Sequence, residues 1–272
     1  MNKNTVKYLK ELFSYKKELI AFPDFQEGFK FENLITFEDS QEEYKIYFNK
    51  YQIPRLDNLS TISYIQSIFE WVAKNLKHDG YTKYRGKLYG SKILEYAIDE
   101  EKGINCLMHA IILQEIFYQQ GILAHLVQGN PSDYLIGDCH WLINIYNREY
   151  QKWMLIDPVW LGYYLNKDNV PLDFFEIRNY LITGEKMVPN KEIKVEYYEY
   201  LMCRYLFFFG FFEKNGIGTF ELDNQKKFYL APQKFNSRKY IELKEKDRFL
   251  PFDLKEYLYF SRFEEESNHL SM

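Results

Sequence analysis

Between residues 60 and 76 the apolar side chains Ile62, Ile65, Ile68, Phe69, Val72 and Leu76 recur every three or four positions. That spacing lays them along one face of an α-helix, and His78-Asp79-Gly80 supplies the stop. Similar patterns predict helices over 5–17, 41–50 and 91–99, with the Phe-rich stretch 22–37 between the first two and Pro54 closing the opening part. A further helix is predicted over 105–120, where Ala110, Ile111, Gln114 and Phe117 trace the turn and Gly121 is suited to a left-handed cap. The pattern then changes: 122–128 reads as a strand and 129–133 as a loop. Two more strands follow, 139–146 with alternating Trp141, Ile143 and Ile145, and 152–157 ended by Pro158. Beyond them the chain predicts a helix over 171–183 ending at Gly184, a long buried helix over 196–212, and a hairpin or strand pair over 220–231.

The order helix, strand, strand, strand predicts an α+β fold in which a helix packs on an antiparallel sheet. We divide the chain into a helical N-terminal extension (1–55), a core (56–190) and a C-terminal extension of helix and strand (191–272). No internal repeat or low-complexity linker separates them.

Composition narrows the function classes. The 35 basic and 39 acidic residues nearly cancel and are interspersed, so no basic stripe points to nucleic acid. The apolar run 200–212 is interrupted by Arg204 and is shorter than the roughly 18 residues of a membrane-spanning helix. The first twenty residues mix lysine and glutamate and lack the apolar stretch of a signal peptide, which gives a cytoplasmic expectation. Three unevenly spaced cysteines, Cys106, Cys139 and Cys203, do not make a disulfide framework. No cofactor motif and no EF-hand-like acidic loop is present.

Cys106 falls in the first turn of the helix predicted over 105–120, where unpaired N–H groups and the helix dipole favour a thiolate. A neighbouring imidazole can take the thiol proton, and a carboxylate beyond it can fix the ring. His140 and Asp157 stand on successive predicted strands. With a four-residue loop over 147–150, Tyr146 faces Gln151 and His140 faces Asp157 on the same side of the sheet. A slip of one residue in that register breaks the pair.

These residues also carry a family resemblance. The stretch GINCLMHAIILQEIFYQQGILAHLV (103–127), followed by DCHWLINIYNREYQKWMLIDPVW (138–160), resembles the transglutaminase-like superfamily. The shared features are a cysteine opening a helix that ends in Gly-Ile, a histidine opening a strand, and W-x-x-x-DP on the next. IFEWVAKNLKHDG (68–80) looks like the helix that precedes the cysteine, so the resemblance spans about 62–184. It implies a papain-like core, acyl transfer through a thioester, and the triad Cys106, His140 and Asp157; the substrate does not follow from it, and a protein or peptide is the expectation for an enzyme acting on a peptide-like amide. Asn105, with Gly at 103 rather than 104, departs from the usual pattern and leaves the oxyanion site with the Cys106 N–H as its named donor.

Other readings of the same residues are open. A non-enzymatic binding protein could retain this fold. A zinc site from Cys106, His109, Cys139 and His140 is disfavoured because neighbouring strand residues point to opposite faces. Cys139, His109 and His125 read as core or surface residues, and His78-Asp79 as a helix-end turn. Trp141 and Trp153 read as walls of the site or of the sheet.

Overall fold

In the computed structural model, residues 3–25, 35–38, 42–132, 139–190, 195–223 and 225–236 are described. Most of the Phe-rich stretch 22–37, the end of the loop expected over 129–133, and the chain from 237 onward lie outside them.

The chain opens with α1 (Lys3–Ala21) and a short β1 (Thr36–Phe37). The helix expected over 41–50 is broken into a 3₁₀ turn, Glu42–Tyr44, and a four-residue α2 (Phe48–Tyr51). Between them Ile46 turns into the core, and Gln52 ends α2 in a left-handed conformation at φ 50°. Next comes α3 (Thr61–Asn75), begun by Ser60, whose side chain accepts from the Ser63 N–H. The helix expected over 91–99 is α4 (Gly90–Leu94), which widens into a π-turn over Glu95–Asp99. Then α5 (Cys106–Gln119) leads to β2 (Ala124–Asn130), β3 (His140–Asn147) and β4 (Lys152–Ile156). Gly121 takes φ 73° between α5 and β2, the left-handed turn expected of it.

Downstream lie β5 (Tyr164–Leu165), α6 (Phe174–Thr183), β6 (Val188–Pro189) and α7 (Val195–Tyr205). A capping box between Asp173 and Glu176 opens α6, and Gly184 at φ 78° closes it. The long helix expected over 196–212 ends at Tyr205, and its apolar second half is instead β7 (Phe208–Phe212). An unbroken apolar run has no helical period, and here it is a strand buried on both faces. After β8 (Lys214–Asn215) and a 3₁₀ turn, Thr219–Glu221, the expected strand pair is a single strand, β9 (Lys227–Leu230), which pairs with β7.

The architecture is mixed α+β. Five antiparallel strands form one sheet in the order β4-β3-β2-β7-β9. The segment after residue 190 thus supplies two strands to the sheet that β2, β3 and β4 begin. Alternation assigns the two faces. Leu126, Ile143, Ile145 and Ile156 join Met108, Ile111 and Ile112 of α5 in one core, with α3 behind it. Val127, Leu142 and Leu155 join α1, α6 and α7 in a second core. Among the described residues no helix is long and apolar enough to cross a membrane.

Candidate active site

Cys106 is the first residue of α5. Asn105 caps that helix, its Oδ1 accepting from the Met108 N–H at 3.0 Å, so the departure at 105 is a working N-cap. The approach to the helix is fixed too. Residues 77–79 run parallel to this segment, with Ile104 N donating to Lys77 O and Asp79 N to Ile104 O. Gly103 is needed there, because a Cβ would stand 2.5 Å from that of Asp79. Cys106 itself is half-buried.

His140 opens β3 and is paired across the ladder with Gly129 of β2. The β3/β4 register differs from the expected one by two residues: Tyr146 faces Trp153 and Asn147 faces Lys152. The turn explains it. Asn147 stays in the strand while its Oδ1 accepts from Tyr150 N at 3.0 Å, and Gln151 takes φ 50°, so the loop is 148–151. A two-residue shift keeps His140 and Asp157 on one face, now as diagonal neighbours roughly 7 Å apart at Cβ. Their side chains span that gap, and His140 Nε2 lies 2.8 Å from Asp157 Oδ2.

Asp157 follows β4 and is almost wholly buried. Its second oxygen, Oδ1, accepts from Val159 N and Trp160 N, each at 2.9 Å. The turn that begins at Asp157-Pro158 therefore orients the carboxylate whose other oxygen meets His140.

The Cys106 side chain lies close enough to the His140 ring to act on its proton affinity. With Nε2 engaged by Asp157, Nδ1 is the ring nitrogen left to exchange a proton with another group. Burial of His140 pushes its proton affinity down, but the charge of Asp157, the hydrogen bond with it and the nearby Cys106 outweigh it and hold the imidazole well above its usual range. The three residues singled out by the sequence are brought together in the order thiol, imidazole, carboxylate.

The other candidates are distributed around this line. His78 lies exposed beside the segment leading into Cys106, its ring centroid 5.9 Å from that of His109. Desolvation and the charge of His140 push its proton affinity down. His109, one turn after Cys106, is buried with neither ring nitrogen hydrogen-bonded. His125 is an interior residue of β2. Cys139 packs half-buried against the α5 core, and Cys203 is buried in the second core, which pushes its thiol up to about 12. Trp141 stacks on Phe212 at 5.9 Å, and Trp153 meets the His125 ring edge-on at 5.0 Å. Among the described residues no group of three or more His, Cys, Asp or Glu is arranged to hold a metal ion.

Tyr205 is the neighbour that sequence patterning missed. Its ring centroid is 5.5 Å from that of His140, and no motif connects residue 205 to residue 140. No family model, no curated protein and no solved structure matches the chain.

Proposed function

We propose that the protein is a cysteine-dependent enzyme of transglutaminase-like type, which transfers or hydrolyses the acyl group of a peptide-like amide through a thioester. The observation that carries this is the 2.8 Å contact between His140 Nε2 and Asp157 Oδ2, with Cys106 at the first residue of α5 near the same imidazole. A helix bearing the thiol at its first residue, packed on antiparallel strands that bring the other two, is the arrangement a papain-like core requires.

In this mechanism His140 Nδ1 takes the Cys106 proton, and Asp157 stabilises the imidazolium and holds its orientation. The sulfur attacks the amide carbonyl carbon, and the Cys106 N–H at the start of α5 is placed to donate to the developing oxyanion. As the C–N bond breaks, His140 returns its proton to the leaving amine and a thioester remains. Water or an amine then attacks the thioester, its proton passing to His140, and the thiolate leaves. The substrate class is a protein or peptide.

The test is the pH dependence of iodoacetamide alkylation at Cys106, followed by peptide mass spectrometry in the wild type and in His140→Ala. Rapid labelling at about pH 6 that vanishes in the variant supports a working thiolate–imidazolium pair. Slow labelling independent of His140 would overturn the enzyme and favour a binding protein that keeps the fold.

A further inference from the structure

Asp157 holds His140 at Nε2 and Cys106 lies near the ring, but Nε2 sits close to the ring's long axis, so the Asp157 contact only weakly restrains the swing about that axis, a broad torsion in imidazoles. A third contact is present. Tyr205, the last residue of α7, is buried with its ring 5.5 Å from that of His140 and tilted by 38°.

Its placement is built into the fold from several directions. Gly129 is the ladder partner of His140, and a Cβ on it would stand 2.6 Å from the Tyr205 carbonyl oxygen. The end of α7 can therefore be laid on the strand beside His140 only because residue 129 has no side chain. Leu206 then bridges to Asn130, and its carbonyl accepts from Arg178 Nε at 3.0 Å. Arg178 is itself buried and also donates to the carbonyls of Phe22 and Pro23, which fixes the α6 side of this junction. Beyond the Tyr205 ring lies the Arg204 guanidinium at 5.4 Å, which donates to Tyr15 Oη.

We propose that Tyr205 is a positioning residue of the Cys106–His140–Asp157 site. Its ring covers the His140–Asp157 hydrogen bond, holds the imidazole plane so that Nδ1 faces the thiol, and keeps water from the pair. A hydrogen bond screened from water is electrostatically stronger, and an aromatic face beside an imidazolium favours the charged form. The role belongs to the ring, not to the hydroxyl. This inference rests on the Cys106 reading above and adds a residue to it from the far end of the chain.

The test uses the full chain and the same alkylation profile at Cys106, in Tyr205→Phe, Tyr205→Leu and Gly129→Ala, with thermal melts to establish the folded fraction. Tyr205→Phe should follow the wild type. Tyr205→Leu and Gly129→Ala should lose roughly tenfold in rate at about pH 6, one unit of pKa, and converge with the wild type above about pH 9, where a free thiol ionises unaided. Tyr205→Met, flexible and without an aromatic face, takes the place of Tyr205→Leu if that variant does not fold. A folded Tyr205→Leu whose profile superposes on the wild type would overturn this inference and leave the Cys106 site standing. Labelling of the wild type that is independent of His140 overturns both.

Discussion

His140 and His125 stand on adjacent strands of one sheet, both buried, yet their surroundings drive their proton affinities in opposite directions. At His125 burial pushes the imidazole down to about 3, and the neighbours are neutral: Asn144 Nδ2 donates to Nε2 at 3.2 Å, with the Trp153 ring beyond. At His140 burial acts in the same sense, but a carboxylate across the ladder reverses the outcome. Enclosure by itself therefore makes a neutral structural histidine, and one anion on the same face makes a charged one. Removing that anion is the most direct way to break the contrast. Asp157→Asn keeps an oxygen for Val159 N and Trp160 N while losing the charge, so the fold should persist. Alkylation of Cys106 at about pH 6 should fall on the order of a hundredfold, and His140 should titrate like His125, as NMR of the ring would read. The raised affinity of His140 stabilises the folded chain below its unfolded value and is lost as pH rises through the folded value. The gap in Tm between wild type and Asp157→Asn should accordingly narrow toward alkaline pH.

Glu115 sharpens the same contrast from the acidic side. It is buried on α5 two to three turns beyond Cys106, and it accepts from Gly218 N at 2.9 Å and Gly90 N at 3.0 Å. Burial raises it to about 8, against the pull of those two N–H groups. Asp157 has an imidazole to pair with; the contacts of Glu115 are backbone amides. Its raised pKa contributes stability that is complete below about 4.5 and is lost as pH rises through about 8. Glu115→Gln turns one acceptor into a donor facing a donor, at a cost of about 2 kcal/mol, and should flatten that pH dependence. Urea melts between about pH 5 and pH 8.5 would show both. A variant as stable as the wild type would mean that these two contacts do not tie α4 and the 218 turn to α5.

What the sequence made legible follows from how local each determinant is. Ser60, Asn105 and Asp173 act within three residues as helix caps, and Gly121 and Gly184 act at a single backbone angle, so their helices were readable end by end. The nearness of His140 to Asp157 was readable because both residues open or close elements with strong patterns. The register that joins His140 to Asp157 was displaced by two because the Asn147 side chain, and not loop length, decides where the turn begins. Phe207 to Phe212 read as helix because an apolar run carries no period to separate helix from strand, and its pairing with β2 and β9 is long-range. Tyr205 was invisible for the same reason, since its contact with His140 needs α7 to be laid against Gly129.

The smallest effect comes from the third buried imidazole. His109 has burial with little to offset it: among the described residues no carboxylate pairs with it and neither ring nitrogen is hydrogen-bonded, and burial together with the charge of His78 outweighs the pull of Asp157 and pushes it down to about 3. An unfolded histidine binds a proton below about 6.5, so the unfolded chain gains a proton there that the folded one refuses. The sign is fixed: the folded state loses stability as pH falls from about 6.5 toward 3. His109→Leu removes this linkage, so at about pH 5.5 the variant should gain about 1.4 kcal/mol relative to its own difference from wild type at about pH 8. Urea unfolding at the two pH values measures it, with the alkaline point absorbing any change in packing. A difference that does not move with pH would mean that His109 can be protonated in the folded chain, and that burial on α5 does not isolate an imidazole as completely as it does on β2.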